Sequence, residues 1–333
     1  MNKRERIIAA INHRDGDKMP HNMEFTAEEL QKLIDFTGDK DFYRRLDNHI
    51  AACGSGRFQE TAKDRFRDEF GVVWNREKDK DIGVIDNILI PDADNVSYKL
   101  PEIDYKLLEK NIGNHLRGVT DEFVVFNIGF SMFERAWTLR GMENLLIDFI
   151  ENPKFCESLL SDICEYNLKQ IDFALKYDRI DGIMFGDDWG QQKGLIMGGN
   201  FWRKYIKPNV KRMYARAKAK GRFVLQHSCG DITEIFPDLI DIGLDVYQTF
   251  QPEIYDIADI KKTYGGSLTF WGGISTQHVL PHGTPQEVEA VAKRTIDVMY
   301  RSGGYIAAPT HAMPKDIPCE NVLKLLDVFK TYK

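Results

Sequence analysis

Short apolar runs alternate with longer amphipathic segments from about Asp121 to the end of the chain. The runs are rich in β-branched and aromatic residues and therefore predict strands; they are EFVVFNIG, GIMFGDDWG, FVLQHSCGD, DVYQTFQPE, SLTFWGGIS and GGYIAAPTHAMP. Apolar residues at helical spacing predict helices over Glu143–Tyr177, Phe201–Lys220, Thr284–Ser302 and Cys319–Tyr332. This alternation indicates a parallel sheet with crossover helices, and the continuous apolar runs indicate strands buried on both faces.

Polar or small residues follow at least five of the predicted strands, as Asn127, Asp187, His227, Gln251 and His311 illustrate. A (β/α)8 barrel builds its active site from the carboxyl ends of many strands, whereas a doubly wound sheet gathers its ligands at one switch point. We therefore predict an α/β fold of the (β/α)8 TIM-barrel type. The sequence contains neither G-x-G-x-x-G nor G-x-x-x-x-G-K-[ST], so nothing indicates a nucleotide-binding fold.

The first third of the chain has a different pattern. It is the most charged part, with helical spacing at its start and around Glu28–Phe36, and with short apolar pieces at Gly71–Trp74 and Ile82–Ile90 that indicate strands or irregular edges. We predict a largely helical N-terminal extension over residues 1–115, which includes the first barrel elements. It packs on the remainder of the barrel, residues 116–333, so that 1–333 is effectively one domain.

The composition of the chain limits the kinds of molecule that we expect it to bind. The 333 residues include 45 basic and 51 acidic side chains, and the net charge of −6 offers no electrostatic reason to bind nucleic acid or an anionic membrane. No apolar stretch approaches the ~18–20 residues of a membrane span, and the first residues lack the apolar core of a signal peptide. Five cysteines without a secretion signal argue for free thiols or metal ligands. We expect a cytoplasmic protein.

A candidate metal site begins with His227 and Cys229, which are two positions apart at a strand end and can therefore point the same way. Cys319 precedes the last predicted helix, which in a barrel starts at the same face as the site. A His/Cys/Cys set suits Zn²⁺ and leaves one coordination position open. Glu253 is the candidate fourth ligand, with Gln251 as the alternative. The competing interpretation is that H-x-C occurs by chance and both cysteines only pack.

Asp187 and Asp188 are candidate catalytic carboxylates, one of them with a raised pKa as a general acid. The alternative is that one caps the following loop or helix while the other supports the residues that contact the substrate. We predict that a small polar substrate is bound by an aromatic wall, two amides and an imidazole, supplied by Trp189, Gln191, Asn127 and His311. A structural role for His311 stays open.

At these residues the sequence resembles the uroporphyrinogen decarboxylase superfamily, and most of all its zinc-dependent corrinoid methyltransferase branch. The resemblance covers nearly the whole chain. RERIIAAINHRDGDKMP resembles the start of the family, GDDWGQQKGLIMGGNFWRKYIKP its central segment, and HSCGDITEIFPDLIDIGLD the stretch after the metal-binding strand. The fold that the resemblance implies is the (β/α)8 barrel.

The resemblance also separates the branches of the family. Decarboxylases carry an arginine-rich motif near the N-terminus that binds the porphyrinogen carboxylates, whereas MPHNMEFTAEEL has no arginine at the matching place. The methyltransferase branch carries H-x-C and a distant cysteine, matched here by His227, Cys229 and Cys319. The implied cofactors are Zn²⁺ and a methyl-corrinoid presented by a separate partner protein.

The resemblance therefore implies a zinc-dependent methyltransferase that moves a methyl group between a corrinoid protein and a small thiol, methyl ether or methylamine. Neither the substrate nor the direction of transfer follows from it. Two alternatives stay open. One is a metal-independent decarboxylase or lyase that uses Asp187 and Asp188, and the other is a non-catalytic barrel that binds a thiol or a corrinoid.

Overall fold

Seven parallel strands form one curved sheet in the computed structural model, which describes residues 1–56, 58–78, 80 and 82–332. The strands of the chain are β1 Ile50–Gly54, β2 Phe58–Ala62, β3 Arg65–Asp68, β4 Val73–Asn75, β5 Val84–Ile85, β6 Phe123–Ile128, β7 Gly182–Gly186, β8 Gly190–Gln191, β9 Gly194–Leu195, β10 Phe223–His227, β11 Val246–Phe250, β12 Thr269–Ile274 and β13 Tyr305–Pro309. The order in the large sheet is β1-β6-β7-β10-β11-β12-β13. All six predicted strands after Asp121 are confirmed as members of this TIM-like sheet.

A short extended segment at His21 links the two edge strands of the sheet. On one side, the Asn22 amide donates to the Ala307 carbonyl over 3.0 Å, and the Ala307 amide donates to Pro20 over 2.9 Å. On the other side, the His49 amide, just before β1, donates to the His21 carbonyl over 3.1 Å. The segment thus occupies an eighth position between β13 and β1, although it is too short to show a strand pattern in the sequence.

The strands alternate their side chains between two apolar layers. Val124 and Phe126 face the outer helices, whereas Phe123, Val125 and the equivalent residues of the other strands form an inner cluster. Helix α1 contributes to this inner cluster; its members include Ile7, Ala10 and Ile11. The barrel interior is therefore filled with side chains near α1, and the open space lies toward the carboxyl ends of the strands.

The helices are α1 Lys3–Ile11, α2 Ala27–Thr37, α3 Phe42–Arg45, α4 Tyr105–Gly118, α5 Phe133–Arg140, α6 Met142–Glu151, α7 Pro153–Ala174, α8 Gly199–Phe201, α9 Lys207–Lys218, α10 Phe236–Asp241, α11 Ile257–Tyr264, α12 Val279–His282, α13 Pro285–Met299 and α14 Cys319–Thr331. A π-helix spans Trp202–Ile206 and a 3₁₀ turn spans Thr233–Ile235. Within the described ranges, none of the helices has the length and apolarity needed to cross a membrane.

Two of the predicted helices are divided. The segment predicted over Glu143–Tyr177 breaks at Asn152, because Pro153 cannot donate a backbone hydrogen bond and instead starts α7 at its first turn. The segment predicted over Phe201–Lys220 begins with the π-helix and continues as α9, again with a proline in the first turn. By contrast, α13 begins where predicted, with a capping box between Thr284 and Glu287.

The first third of the chain holds more strand than its helical spacing indicates. Strands β2 to β5 form a four-stranded antiparallel sheet, and β1 belongs to the large sheet. Helices α1 to α4 account for the rest of the regular structure there. Phe58 and Val84 on the small sheet are exposed, whereas Trp74 is buried against Phe130 near the open end of the barrel.

Candidate metal centre

A cavity of about 280 Å³ opens at the carboxyl ends of the parallel strands. Its polar lining consists of two histidines, three carboxylates and two amides: His227, His311, Glu24, Glu134, Asp188, Asn127 and Gln248. Its apolar lining includes Phe130, Met184 and Trp271. The cavity contains no lysine or arginine among the lining residues in the described part of the chain. Titratable groups from the ends of four strands and from the chain after the His21 segment therefore meet in one space.

His227, Cys229 and His311 form the candidate metal-binding group of the cavity. One ligand atom of each lies within 4.8 Å of the other two. The Cys229 Sγ lies 3.8 Å from the His227 Nε2, and the rings of His227 and His311 are edge to face with centroids 5.7 Å apart. Two imidazoles and one thiolate are a ligand set that Zn²⁺ accepts, with a coordination position left for substrate.

Gln248 orients the His227 ring. The His227 Nδ1 is in hydrogen-bond contact with the Gln248 Oε1, and an amide oxygen can only accept, so this nitrogen carries the proton. The Nε2 lone pair is then free and faces Cys229. Histidines that bind metals generally have their other ring nitrogen held in this way. The contact therefore prepares His227 to act as a neutral ligand.

The turn that carries Cys229 packs tightly against the chain at Gly190. Gly230 has φ +77°, and a Cβ on it would lie 2.2 Å from the Gly190 carbonyl carbon, so only glycine fits there. The Cys229 amide donates to the Asp188 Oδ1 over 2.7 Å. Burial, together with the Asp188 charge, raises the pKa of the Cys229 thiol. A bound dication would reverse that shift, because it favours the thiolate.

One pair of backbone hydrogen bonds holds the segment that carries His311 beside the segment that carries Glu24. The Met313 amide donates to the Glu24 carbonyl over 2.8 Å, and the Thr26 amide donates to the Met313 carbonyl over 3.0 Å. The chain after β13 therefore runs beside the chain after the His21 segment. His311 comes two residues after the end of β13, so it remains at the mouth of the barrel.

Asp187 and Asp188 have different environments although they are adjacent. Asp187 is fully buried and accepts hydrogen bonds from the amides of Met132, Phe133 and Glu134 at the start of α5. Burial raises the pKa of Asp187 to about 6, while these donors oppose the shift. Asp188 lines the cavity, with its Oδ1 3.5 Å from the His227 Nε2. Asp187 thus anchors the start of α5, a helix earlier in the chain rather than the following one, and Asp188 faces the cavity.

Glu134 is a further acid of the cavity. It lies in the first turn of α5, whose start is fixed by the Asp187 carboxylate. Burial raises the pKa of Glu134 well above its usual value, and the charges of Asp188 and Asp187 raise it further. Burial likewise raises the pKa of Glu24, although its side chain is open to solvent on the cavity side.

The structure places Asn127 and His311 on the cavity and the two other residues predicted to bind the substrate elsewhere. Trp189 is fully buried, donates from its indole to Asp187 and packs against Trp202, so it supports the site from behind. Gln191 is exposed in the β8–β9 hairpin. Neither residue lines the cavity, because the chain after Asp188 turns away into the hairpin.

The two predicted fourth ligands make hydrogen bonds with groups other than His227. The Gln251 Oε1 accepts from the Gly230 amide over 2.9 Å and so stabilises the turn after Cys229. Glu253 contacts the Ser275 hydroxyl, and its Oε2 is buried without a hydrogen-bond partner in the described residues. Both residues follow β11, whereas Gln248, within β11, reaches the ring of His227.

Cys319 lies outside the group formed by His227, Cys229 and His311. It is the first residue of α14 and is buried, with Lys32 and Glu29 as the nearest charged groups that act on its thiol. The loop after β13 carries the chain away from the cavity before α14 begins. In the candidate group, an imidazole two residues after β13 stands where the sequence predicts the later thiol.

Sequence reasoning missed Glu24, Glu134 and Gln248. Gln248 is a lone amide in the apolar run VYQTF, and this placement is a usable sign of an inward-facing polar residue. Glu134 follows β6 at the start of a helix, a position at which barrel enzymes place functional groups. Glu24 gives no such signal, because the extended segment before it is too short to show a strand pattern in the sequence.

Comparisons with known proteins show the family of the chain. The family model described as "Uroporphyrinogen decarboxylase (URO-D)" matches residues 120–332. The chain belongs to the URO-D family. The matched region contains β6 and every later strand of the large sheet, and it includes His227, Cys229 and His311.

Two curated relatives of this URO-D family chain are methylcobamide:CoM methyltransferases MtbA. The protein from Methanosarcina mazei is 26% identical over 140 residues, which are 41% of this chain and 39% of the relative. The protein from Methanosarcina acetivorans is 24% identical over 138 residues, with the same two shares. The match thus spans well under half the length of each relative.

A solved structure described as a methyltransferase from Methanosarcina mazei has the same fold. It superimposes with a TM-score of 0.73 and covers 100% of this chain and 99% of its own, at 15% sequence identity. At this identity the likeness establishes the fold alone. It extends the shared architecture to the first third of the chain, which the family match does not include.

Proposed function

We propose that this URO-D family protein is a zinc-dependent methyltransferase that exchanges a methyl group between a corrinoid on a separate protein and a small substrate. The observation that carries the proposal is the group of His227, Cys229 and His311 at the mouth of the barrel. The relatives named methylcobamide:CoM methyltransferases support the same reaction class. The small substrate is a thiol, a methyl ether or a methylamine.

The residues fit a zinc ion on chemical grounds. His227 presents a free Nε2 because Gln248 holds its Nδ1, and the Cys229 thiol faces that nitrogen. Zinc would supply Lewis acidity, favouring the thiolate form of a bound thiol or polarising a bond between a heteroatom and a methyl group. With three protein ligands, the fourth position is available to the substrate.

The remaining residues of the cavity have roles in binding and orientation. Asp188 accepts a hydrogen bond from the Cys229 amide and lies beside His227, so it holds these two candidate ligands in place. Asn127 and Glu134 line the space in which the substrate would lie. Asp187 supports this arrangement indirectly, since it anchors the start of α5 and thereby places Glu134.

The cavity mouth gives the partner access to the substrate. The cavity lies where the parallel strands end, and Ile82, a half-exposed residue between β4 and β5, forms part of its rim. A corrinoid carried by another protein would approach from this side, because α1 and the inner apolar cluster fill the opposite end of the barrel. The small antiparallel sheet therefore borders the proposed route of approach.

A metal-independent decarboxylase that uses Asp187 and Asp188 is the second candidate, and the structure offers it less support. Asp187 has no exposed surface, and its oxygens accept four hydrogen bonds, three of them from backbone amides. Such a carboxylate is suited to anchoring a helix rather than to meeting a substrate. A porphyrinogen with many carboxylates would also find no arginine in the described lining of the cavity.

The first experiment is the metal content of the purified protein beside three variants, Cys229→Ser, His311→Ala and Cys319→Ser. We expect about one zinc per chain in the wild type and in Cys319→Ser, and loss of zinc in the other two. Cys319→Ser is the matched control, because it also removes a buried thiol. A wild type that cannot be loaded with zinc would exclude the proposed function.

The second experiment measures the reaction itself. Zinc-loaded protein is mixed with methylcobalamin and a thiol, and the absorbance change that accompanies demethylation of the corrinoid is followed. We expect turnover in the wild type and in Cys319→Ser, and a loss of at least about 1,000-fold in Cys229→Ser. Equal rates in Cys229→Ser and the wild type would contradict a role for the metal centre in methyl transfer.

A further inference from the structure

Within the described residues, the carboxylates of the cavity have no lysine or arginine beside them in its lining. Glu24, Glu134 and Asp188 line the same space. Asn22 donates to Glu24 over 3.2 Å, and the backbone amide of Asp188 donates to Glu134, so both of these partners are neutral. Glu24 is exposed and Glu134 and Asp188 are half-buried. Negative charges that share one cavity repel each other, so the cavity is suited to a ligand that brings positive charge.

A metal ion alone does not satisfy these acids. Glu24 and Glu134 are not members of the group formed by His227, Cys229 and His311. A dication bound by two neutral imidazoles and one thiolate would add a net charge of about +1, which leaves about two of the three nearby carboxylate charges uncompensated. Part of the cavity beside the metal group is therefore still negative after the metal has bound.

Aromatic rings complete this negative region. Trp271 and Phe130 line the cavity together with Glu134. Tryptophan and phenylalanine attract cations to the faces of their rings, most strongly where water is excluded. Carboxylates combined with aromatic rings are a common way to bind alkylammonium groups. An anionic sulfonate or carboxylate would instead meet repulsion and no basic partner.

A ligand that contacts both the metal and the carboxylates needs two different chemical groups. A protonated or quaternary amine has no lone pair for a metal, so the atom bound to the metal and the cationic atom cannot be the same. A soft metal centre that contains a thiolate accepts a sulfur donor readily. The ligand must therefore offer a sulfur atom at one end and a positive charge at the other.

We propose that the small substrate is a thiol, or its methyl thioether, that carries an ammonium group, with the sulfur toward His227, Cys229 and His311 and the ammonium group toward Glu24 and Glu134. This inference rests on the proposed function for the presence of the metal. In the transfer, a sulfur lone pair forms the new S–C bond while the Co–C bond of the partner's methyl-corrinoid breaks. The electron pair stays on cobalt, which is reduced from Co(III) to Co(I), and the thiol proton passes to solvent.

The test uses three thiols of nearly equal size that differ in charge: 2-aminoethanethiol, 2-mercaptoethanol and 2-mercaptoethanesulfonate. Each is titrated into protein loaded with Co²⁺ in place of zinc, and binding is read from the sulfur-to-cobalt charge-transfer absorbance. After correction for the ionisation of each thiol, we expect the aminothiol to bind about tenfold more tightly than the neutral thiol. We expect the sulfonate to bind most weakly.

Substitution of Glu24 and of Glu134 tests whether these residues cause the preference for the aminothiol. Glu24→Gln and Glu134→Gln should each reduce the preference for the aminothiol over the neutral thiol to about threefold or less, with the Co²⁺ content unchanged. Glu109→Gln is the matched control, because Glu109 is exposed on α4. It should keep the full preference.

The outcomes separate this inference from the proposed function. A sulfonate thiol that binds as tightly as the aminothiol, or a preference that survives both substitutions, would overturn the cationic substrate while leaving the metal centre intact. Protein that binds no Co²⁺ would overturn the proposed function. Protein that binds Co²⁺ but shows no sulfur absorbance with any of the thiols would overturn the inference that sulfur is the donor.

Discussion

Helix α5 shows two treatments of a buried acid within a few residues. On its outer side, Arg135 donates to Asp68 over 2.7 Å, and Arg140 donates to Asp148 over the same distance. The Arg135 and Asp68 side chains are 4% and 2% exposed, so the charges of this pair are balanced out of contact with water. Glu134, the neighbour of Arg135, faces the cavity and has no lysine or arginine partner in the described residues.

The contrast shows that this fold can neutralise buried acids with arginine and does not do so at the barrel mouth. Asp68 also accepts hydrogen bonds from the amides of Phe70 and Val72, so its region is satisfied by the protein itself. By contrast, the acidic side chains at the mouth of the barrel remain available to bind a ligand. Sites that bind ligands commonly sacrifice local stability in this way.

Removing the arginine should produce the largest effect on stability. We expect Arg135→Met to lower the free energy of unfolding by about 3–5 kcal/mol, because Asp68 would keep a buried charge without its partner. Urea unfolding followed by circular dichroism measures the change. The double variant Arg135→Met with Asp68→Leu should recover a large part of the loss. A change below about 1 kcal/mol in the single variant would contradict the comparison.

A substitution at the mouth should instead weaken metal binding. We expect Gln248→Leu to reduce zinc affinity by about 10–100-fold, because the His227 Nδ1 would lose the contact that fixes its protonation. Competition with a chromophoric chelator measures the affinity. The free energy of unfolding of the metal-free protein should change little. Unaltered zinc affinity would show that Gln248 does not orient the ligand.

Two buried histidines, His49 and His21, are a third case, because burial disfavours their charged form. Burial and the neighbouring His21 lower the pKa of His49 to about 3, and burial also lowers the pKa of His21. Because the folded state binds fewer protons than the unfolded chain below about pH 6.5, stability should fall as the pH decreases toward 3. We expect His49 to contribute about 1.4 kcal/mol per pH unit well inside this window.

Urea unfolding between pH 7 and pH 5 measures this dependence. The variant His49→Gln should have a shallower slope, since Gln does not titrate. His278→Gln, at an exposed position, is the control and should keep the slope of the wild type. Parallel curves for His49→Gln and the wild type would assign the acid sensitivity to other groups.

The smallest effect should come from the residue beside Arg135. We expect Glu134→Gln to leave the free energy of unfolding at pH 7 within about 1 kcal/mol of the wild type or to raise it slightly, since an amide removes an uncompensated carboxylate. Thermal unfolding of the metal-free protein measures this. A strong loss of stability would show that Glu134 has a partner within the protein that replaces the missing cation.

The large sheet could be predicted because its strands are buried on both faces. Continuous apolar runs such as EFVVFNIG are hard to confuse with the amphipathic helices between them. The His21 segment escaped prediction, because its place in the sheet depends on hydrogen bonds to Ala307 and His49 rather than on its own side chains. The small antiparallel sheet has short strands, one of which, Phe58–Ala62, is exposed throughout.

The candidate site could be predicted only where strand position determines it. His227 and Cys229 leave one strand together, so their proximity follows from local geometry. The choice between His311 and Cys319 depends on the path of the loop after β13, which no local pattern defines. Asp187 and Asp188 likewise divide their roles according to the position of α5, a helix from another part of the chain.

The pairing of Glu24 and Thr26 with Met313 means that the cavity is assembled from nearly opposite ends of the chain. During synthesis, the residues around Glu24 are made before β13 and His311. Their side of the site can therefore form only after those later residues have been added. Ligand-binding competence should therefore be among the last properties that the folding chain acquires. A metal ion present during folding would act at that late step and favour the closed barrel over forms in which the two ends are still apart.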